Sequence, residues 1–250
     1  MIPKKIHYCW FGRNPLPESA LKCIASWKKF LPDYEIIEWN EDNFDVNSIP
    51  YTQQAYEAKK YAFVSDYARF KILYEHGGLY FDTDVEVIRP LDDIIAQGPF
   101  MGFEKNLNTQ NNDNAPGVNP GLGLGAYPGM GIYCEIIDFY KSKNFNIEDG
   151  TVVTYTTAIL LEKGLSEKNV KQAVAGITLY PTEVFCPMDS TTGIVTITPN
   201  TVSIHHYSCS WIDHNTLRYK LHLLKNTLIK IFGRDFIMNL CALMKRAVKH

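Results

Sequence analysis

Hydrophobic and polar positions follow two different periods along the first 90 residues. The segments KKIHYCWFG and YEIIEWN carry the short apolar runs that are typical of strands. Between them, PESALKCIASWKKFLPDY places apolar residues at helical spacing, begins at Pro17–Glu18 and ends before Pro32. A second helical pattern runs from Thr52 to His76 and ends at Gly77–Gly78, and LYFDTDVEVI then predicts a third strand. Strand, helix, strand, helix and strand in this order predict an α/β sheet with crossover connections.

The rest of the chain continues this mixture. NLNTQNNDNAPGVNPGLGLGAYPGMG is rich in Asn and Gly and predicts a long loop, a feature that is functional or mobile in compact domains. GIYCEIIDFYKSK and TAILLEKGL predict helices, whereas ITLYPTEVF and TVSIHHYS predict strands. From Leu217 onward the pattern is that of a basic amphipathic helix, interrupted near Gly233. The predicted organisation is a domain of residues 1–216 followed by a helical tail of residues 217–250.

The charge of the tail is opposite to that of the preceding domain. Residues 217–250 contain eight Lys or Arg residues and one acidic residue, so they carry about +7, while residues 1–216 carry about −9. Such a division indicates that the two parts meet different partners. A basic amphipathic helix can bind an anionic membrane surface. The alternative is that the tail packs on the domain or on another subunit.

Overall composition predicts a soluble globular protein. The 250 residues are 46% hydrophobic and 21% charged, which fits one large domain or two small ones. Six cysteines without a CxxC pair are typical of reduced thiols in a cytoplasmic protein. The amino terminus lacks the apolar core of a secretory signal, and no run approaches 18 apolar residues. The expected location is the cytoplasm.

Two acidic residues follow the apolar run of the third predicted strand. In HGGLYFDTDVEV, strand alternation places Asp82 and Asp84 on one face, so both carboxylates can reach a single Mg²⁺ or Mn²⁺ ion. An EF-hand is excluded because Val87 occupies the position at which that loop requires Gly. An ordinary polar turn is the alternative interpretation.

A charged pair lies on the preceding predicted helix. Asp66 and Arg69 are neighbours at i, i+3 in SDYAR, and apolar residues surround them in the sequence. A surface ion pair is one interpretation. The apolar surroundings favour a buried pair with a function, because charged residues are seldom buried without a partner.

Two further motifs bear on the site. His205 and His206 are adjacent in a predicted strand, so they point to opposite faces and only one can readily join a given metal site. GLGLGA matches the dinucleotide-binding glycine pattern, but no strand precedes it and no acidic residue follows at the usual distance. It therefore predicts no dinucleotide site.

Taken together, IHYCWFG, SDYARFKILYEHGGLYFDTDVEV and HHYSCSW resemble the family 32 glycosyltransferases, which carry a DXD-containing sugar-binding region. That family includes bacterial capsular and lipopolysaccharide sugar transferases and yeast initiating mannosyltransferases, with the clostridial glucosylating toxins as distant relatives. The resemblance extends over about residues 2–211. It implies an α/β fold of the GT-A type, a Rossmann-like mixed sheet flanked by helices, here with a C-terminal helical extension. It also implies a nucleotide-sugar donor and a divalent cation, Mn²⁺ or Mg²⁺.

The resemblance assigns roles to individual residues. The implied catalytic residues are Asp66, Arg69, Asp82 and Asp84. The implied metal ligands are Asp82, Asp84 and His206. The implied donor site consists of Trp10 beside the base, Ser65, Asp66, Arg69, Asp82, Asn119, and Trp211 near the leaving phosphate. The chain departs from the family where His-His-Tyr replaces the usual His-His-Trp, and where YTTAI replaces a TGP-like motif.

The implied function is metal-dependent, retaining transfer of a sugar, with UDP-hexose or UDP-N-acetylhexosamine as the expected donor. The expected acceptor is a saccharide of bacterial surface polysaccharide synthesis, often lipid-linked in relatives, and nucleic acid is not an expected partner. With the tail on an anionic membrane, the enzyme would be peripheral on the inner face of the cytoplasmic membrane. Two alternatives stay open: a nucleotidyltransferase on a related fold, for which GRNPLP is a poor match, and a non-catalytic carbohydrate-binding protein.

Overall fold

The structure is a computed structural model that describes residues 1–105, 116–190 and 192–208, together with Thr227, Ile229 and Gly233. The helices are α1 (Glu18–Phe30), α2 (Pro50–Glu57), α3 (Tyr61–His76), α4 (Asp92–Ile95), α5 (Gly131–Lys141), α6 (Val152–Glu162) and α7 (Thr182–Phe185). The strands are β1 (Lys5–Cys9), β2 (Glu35–Trp39), β3 (Gly78–Tyr80), β4 (Val85–Val87), β5 (Phe100–Lys105), β6 (Pro116–Asn119), β7 (Leu124–Ala126), β8 (Gln172–Val174), β9 (Ile177–Tyr180) and β10 (Ser203–His205).

A mixed eight-stranded sheet forms the centre of the fold. Its strand order is β2-β1-β3-β7-β5-β9-β8, and β6 pairs with β5 beside this path. Strand β1 is parallel to both β2 and β3, with Ile6 in register with Leu79, whereas β7 is antiparallel to β3. The carboxyl ends of β1 and β3 therefore lie at one edge of the sheet, where α/β proteins usually bind ligands.

A two-stranded sheet carries the acidic motif. Strands β4 and β10 are antiparallel, with His205 in register with Val85. Helix α1 anchors β4, because Trp27 Nε1 donates to the Val85 carbonyl oxygen at 2.7 Å and Ser26 Oγ accepts the Val87 amide at 2.9 Å. Trp27 is fully buried, so this anchor lies inside the core.

Residues 1–187 and 197–206 form one compact unit, which contains all the elements given above. Residues 188–196 and 207–250 form a second unit, in which Met188 and Val195 pair as an isolated antiparallel bridge. The predicted boundary at residue 216 and the predicted helix of the tail lie outside the described residues, apart from three isolated positions. They stay predictions.

The structure divides three segments that the sequence patterns joined. The predicted helix from Thr52 to His76 is two helices, separated by a turn in which Lys59 has a φ of 57°. The predicted strand LYFDTDVEVI is β3 and β4 with a turn between them, and ITLYPTEVF is β9 followed by α7. In addition, the predicted long loop contains β6 and β7. Among the described residues, no helix combines the length and the hydrophobicity that crossing a bilayer requires.

Candidate active site

Helix α3 carries two charged side chains into the interior of the domain. Asp66 is 7% exposed and Arg69 is 3% exposed, because most faces of this helix are buried. Arg69 Nη2 donates to Asp66 Oδ1 at 3.0 Å, and Arg69 Nε donates to the Ser65 carbonyl oxygen at 3.0 Å. The interpretation of Asp66 and Arg69 as a surface ion pair is therefore excluded.

Arg69 also connects α3 to the acidic motif. Its Nη2 lies 3.3 Å from Asp82 Oδ1, and its Nη1 donates to Asp82 Oδ2 at 3.4 Å. The guanidinium group lies 4.9 Å from the centre of the Tyr80 ring, and the Tyr80 hydroxyl donates to Asp82 Oδ1 at 2.9 Å. Burial raises the pKa of Tyr80 well above its usual value, so the phenol is a neutral donor. One cation and one phenol thus set the orientation of the Asp82 carboxylate.

The buried Asp66 carboxyl group is harder to ionise than an exposed one. Burial raises the pKa of Asp66 to about 7; the charge of Arg69 opposes this rise, and the charge of Asp82 adds to it. The backbone amide of Val152, the first residue of α6, also donates to Asp66 and favours its charged form. Asp66 therefore links α3 to the start of α6 as well as pairing with Arg69.

Three backbone hydrogen bonds hold the turn between β3 and β4, one within the turn and two from other parts of the chain. The Asp82 amide donates to the Gly121 carbonyl oxygen at 3.2 Å, and the Val85 amide donates to the Asp82 carbonyl oxygen at 3.0 Å. The His206 amide donates to the Asp84 carbonyl oxygen at 2.9 Å. Because these bonds involve the main chain, the position of the turn does not depend on the two Asp side chains.

Asp82, Asp84 and His205 converge at this turn. Each offers a ligand atom, and these atoms all lie within 4.8 Å of one another. His205 Nε2 lies 3.2 Å from Asp84 Oδ1. Burial alone would lower the pKa of His205, but the charge and the hydrogen bond of Asp84 outweigh burial and raise it to about 9. Two carboxylates and one imidazole are a donor set that suits Mn²⁺ or a similar divalent cation, so these residues fit the implied metal.

The structure places His205, and not the predicted ligand His206, beside Asp82 and Asp84. Adjacent side chains of a strand point to opposite faces, so only one of the two can face Asp84. His206 lies on the other face, where its Nε2 is 2.8 Å from Glu86 Oε2 and its side chain is 40% exposed. Sequence reasoning predicted that only one histidine could readily join a given metal site, and the register of β10 on β4 brings His205 next to Asp84.

Of three other predicted donor-site residues, the structure describes two, Trp10 and Ser65, and they lie in different elements. Trp10 follows β1 at the same sheet edge as Asp82, and its Nε1 donates to the Asn14 carbonyl oxygen at 2.6 Å. Ser65 is buried within α3 and contributes its carbonyl oxygen to Arg69. Trp211 lies outside the described residues. Binding of a donor by these residues stays a prediction.

Asn119, also a predicted donor contact, forms a hydrogen-bonded link to a third acidic residue. Its Nδ2 donates to Glu104 Oε2 at 2.8 Å, and its Oδ1 accepts the Gly121 amide at 2.6 Å. Gly121 is required here by space, since a Cβ atom would lie 2.1 Å from Asp82 Oδ2. The Gly121 main chain therefore contacts Asp82 on one side and Asn119 on the other.

Sequence reasoning missed Tyr80, Glu104 and the role of Gly121. A usable signal existed for Tyr80, which stands two positions before Asp82 and thus on the same side of an extended chain. No comparable signal marked Glu104, because β5 was not predicted. Gly121 was considered as part of a dinucleotide pattern and as flexible backbone near a sugar or phosphate, not as a contact of Asp82.

Comparison with known proteins matches part of the chain, including Asp66, Arg69, Asp82 and Asp84, to one family model. Residues 17–101 match the family described as "Glycosyltransferase sugar-binding region containing DXD motif". The chain is 34% identical over 98 residues to inositol phosphoceramide mannosyltransferase 3 of Schizosaccharomyces pombe, covering 38% of this chain and 27% of that protein. It is 32% identical over 118 residues to uncharacterized glycosyltransferase L373 of Acanthamoeba polyphaga mimivirus, covering 45% and 47%. The chain thus spans less than half the length of either relative.

A solved structure supports the fold. The PaToxG glycosyltransferase superposes with a TM-score of 0.51 at 18% sequence identity, covering 65% of this chain and 70% of that one. At this identity the likeness concerns the fold alone. Together with the mixed sheet flanked by helices, it confirms the predicted GT-A fold class.

Proposed function

We propose that this chain, whose residues 17–101 match the DXD-containing sugar-binding region of glycosyltransferases, transfers a sugar from a nucleotide-sugar to a saccharide acceptor. The observation that carries the proposal is the convergence of Arg69, Asp82, Asp84 and His205 at the sheet edge that also bears Trp10. A cation, two carboxylates and an aromatic residue at this edge suit the diphosphate and the base of such a donor.

Charge development explains why these residue types are needed. As the bond between the anomeric carbon and the diphosphate breaks, negative charge accumulates on the departing diphosphate. Arg69 is held rigidly by Asp66, Asp82 and the Ser65 carbonyl, so it can stabilise that charge without prior reorganisation. Asp82, Asp84 and His205 would hold a divalent cation, which when bound supplies further stabilisation of the leaving group.

The stereochemistry and the acceptor extend the proposal. Because the chain resembles retaining enzymes, we propose that the acceptor attacks the face of the sugar from which the diphosphate departs. The name of one relative bears on the acceptor: the Schizosaccharomyces pombe protein is an inositol phosphoceramide mannosyltransferase, so a lipid-linked saccharide or polyol acceptor is consistent with it. Because that relative is a mannosyltransferase, mannose is a candidate donor sugar in addition to glucose, galactose and their N-acetyl derivatives.

The test is turnover of a donor panel by the full-length protein. We expect Mn²⁺-dependent release of nucleoside diphosphate from at least one of UDP-glucose, UDP-galactose, UDP-N-acetylglucosamine and GDP-mannose, because water replaces the acceptor slowly in such sites. Release that is absent for every donor would contradict the proposal. Nucleotidyl transfer would instead release pyrophosphate, and a carbohydrate-binding protein would release nothing.

We further propose that the tail holds the enzyme on an anionic membrane surface. Eight basic residues between 217 and 250 each contribute about 1 kcal/mol near such a surface, so several together produce salt-sensitive binding. We expect the full-length protein to sediment with vesicles containing 30% phosphatidylserine and to be released by 0.5 M salt. A variant with Lys220, Lys225, Lys230 and Lys245 changed to Glu should stay in the supernatant.

Two controls distinguish binding of the tail to the membrane from packing of the tail on protein. Vesicles of phosphatidylcholine alone should not sediment either protein. A variant with four Lys to Glu changes outside the tail, at Lys4, Lys28, Lys29 and Lys168, matches the change in charge and should still sediment with anionic vesicles. Equal sedimentation of the tail variant and the unmodified protein would exclude the membrane role.

A further inference from the structure

Glu104 is a third carboxylate beside the DXD turn that the proposed chemistry does not yet use. It stands near the end of β5, where Phe100, Gly102 and Glu104 alternate onto one face. That face packs against α7, because a Cβ atom on Gly102 would lie 3.0 Å from the Phe185 ring. Glu104 is only partly buried.

The carboxylate is close to the metal cluster but is not part of it. Its Oε2 accepts from Asn119, Asn119 Oδ1 accepts the Gly121 amide, and the Gly121 α carbon lies against Asp82 Oδ2. The three residues whose ligand atoms lie within 4.8 Å of one another are nevertheless Asp82, Asp84 and His205. Glu104 therefore lies near the DXD turn without being one of those three residues.

A fixed amide orients Glu104. The Gly121 amide donates to Asn119 Oδ1, and this bond determines which end of the Asn119 amide faces Glu104. The NH₂ group of Asn119 consequently donates to Glu104 Oε2 at 2.8 Å. Asn119 is 7% exposed, so this bond is shielded from competing water.

The same turn sets the distance between Glu104 and the DXD motif. Gly121 accepts the Asp82 amide through its carbonyl oxygen and lies against Asp82 Oδ2 through its α carbon. Glu104, Asn119, Gly121 and Asp82 thus form one continuous chain of contacts. Such a chain fixes Glu104 relative to Asp82, and a general base must be held within reach of the proton that it accepts.

We propose that Glu104 is the catalytic carboxylate that binds the attacking hydroxyl group, of a saccharide acceptor or of water, and receives its proton. The inference rests on the proposed function. In this step the hydroxyl oxygen forms a bond to the anomeric carbon, and the bond from that carbon to the diphosphate oxygen breaks with its electron pair going to the diphosphate. The hydroxyl proton passes to the Glu104 carboxylate and from there to solvent, so charge and atoms balance.

The test compares Glu104→Gln with the unmodified full-length protein in donor hydrolysis, where water is the attacking group. We expect kcat to fall at least about 100-fold, the usual lower range for loss of a general base. The KM for the nucleotide-sugar and the Kd for Mn²⁺, measured by electron paramagnetic resonance, should stay within about twofold of the unmodified values, because the proposed role gives Glu104 no contact with the diphosphate or the metal. Glu135→Gln, at an exposed site paired with Lys163, is the matched control and should change none of these quantities.

The possible outcomes separate the inference from the proposed function. An unchanged kcat in Glu104→Gln, or a weakened Mn²⁺ affinity with kcat preserved, would overturn the inference while leaving sugar transfer intact. If the unmodified protein releases no nucleoside diphosphate from any donor, the proposed function itself fails. Should Glu104→Gln not fold, Glu104→Asp decides: it keeps the charge but withdraws the carboxylate, so kcat should fall with KM unchanged, and an unchanged kcat would overturn the inference.

Discussion

Replacing Asp84 with asparagine is expected to lower donor turnover at least about 1,000-fold, because several kcal/mol of leaving-group stabilisation depend on the metal and each 1.4 kcal/mol is a factor of ten. Asparagine keeps the volume of Asp84 but removes one of the two negative charges of the ligand set. His205 also loses the carboxylate that lies 3.2 Å from its Nε2. Manganese affinity should fall with turnover, and a Mn²⁺ titration followed by electron paramagnetic resonance measures it directly.

The same substitution should leave the fold in place. The Asp84 carbonyl oxygen, not its carboxylate, accepts the His206 amide, so the turn keeps its main-chain support. Circular dichroism and thermal unfolding test this expectation. Asp33→Asn is the matched control, since Asp33 is exposed and pairs with Lys4 on the surface. Turnover that persists in Asp84→Asn and is insensitive to chelator would remove the metal from the mechanism.

Local patterns were sufficient for the elements whose boundaries are marked in the sequence itself. Helix α1 begins at Glu18 after Pro17 and ends at Phe30 before Pro32, close to the predicted bounds. The end of α3 at Gly77 was also predicted, from the Gly77–Gly78 pair. In the structure Gly77 has a φ of 62°, which residues other than glycine rarely adopt. In both cases the determining residues lie within a few positions of the boundary.

Elements that depend on distant partners were not predicted. The turn at residues 82–84 interrupts an apolar run because the Gly121 carbonyl and strand β10 hold it, and neither is near in sequence. The sequence of β5 does not alternate between hydrophobic and polar residues. Its first four residues are all buried, because both faces of the sheet are covered there. Glu104 could therefore not be predicted as a site residue, although Asn119, with which it forms a hydrogen bond, was a predicted donor-site residue.

The histidine assignment illustrates the same limit within the site. Alternation showed that His205 and His206 face opposite ways, and the resemblance selected His206. The choice depends on the register in which His205 lies opposite Val85, and that register is a property of the two-stranded sheet. By contrast, Asp66 and Arg69 were paired correctly because both lie on one helix, where i, i+3 spacing determines proximity.

Replacing Arg69 with alanine is expected to abolish measurable donor turnover and also to destabilise the protein by about 3–5 kcal/mol, the usual cost of removing one partner of a buried ion pair. Arg69 is 3% exposed and neutralises both Asp66 and Asp82, so its loss leaves the buried Asp66 carboxylate without its cation. Donor turnover falls because the same guanidinium faces the diphosphate in the proposed mechanism. Urea unfolding and steady-state kinetics measure the two effects. Lys71→Ala, which breaks an exposed pair with Glu75 on the same helix, should affect neither strongly.

A double variant separates the two roles of Arg69. In Asp66→Asn/Arg69→Met the pair is removed together, so no buried carboxylate of α3 is left unpaired, and stability should recover toward that of the unmodified protein. Donor turnover should stay lost, because a methionine cannot stabilise the charge that develops on the departing diphosphate. If turnover instead recovers together with stability, Arg69 acts only through the fold, and the donor contact must be sought elsewhere on the sheet edge. If neither recovers, the contact of Arg69 with Asp82 is what supports the turn, and its pairing with Asp66 is secondary.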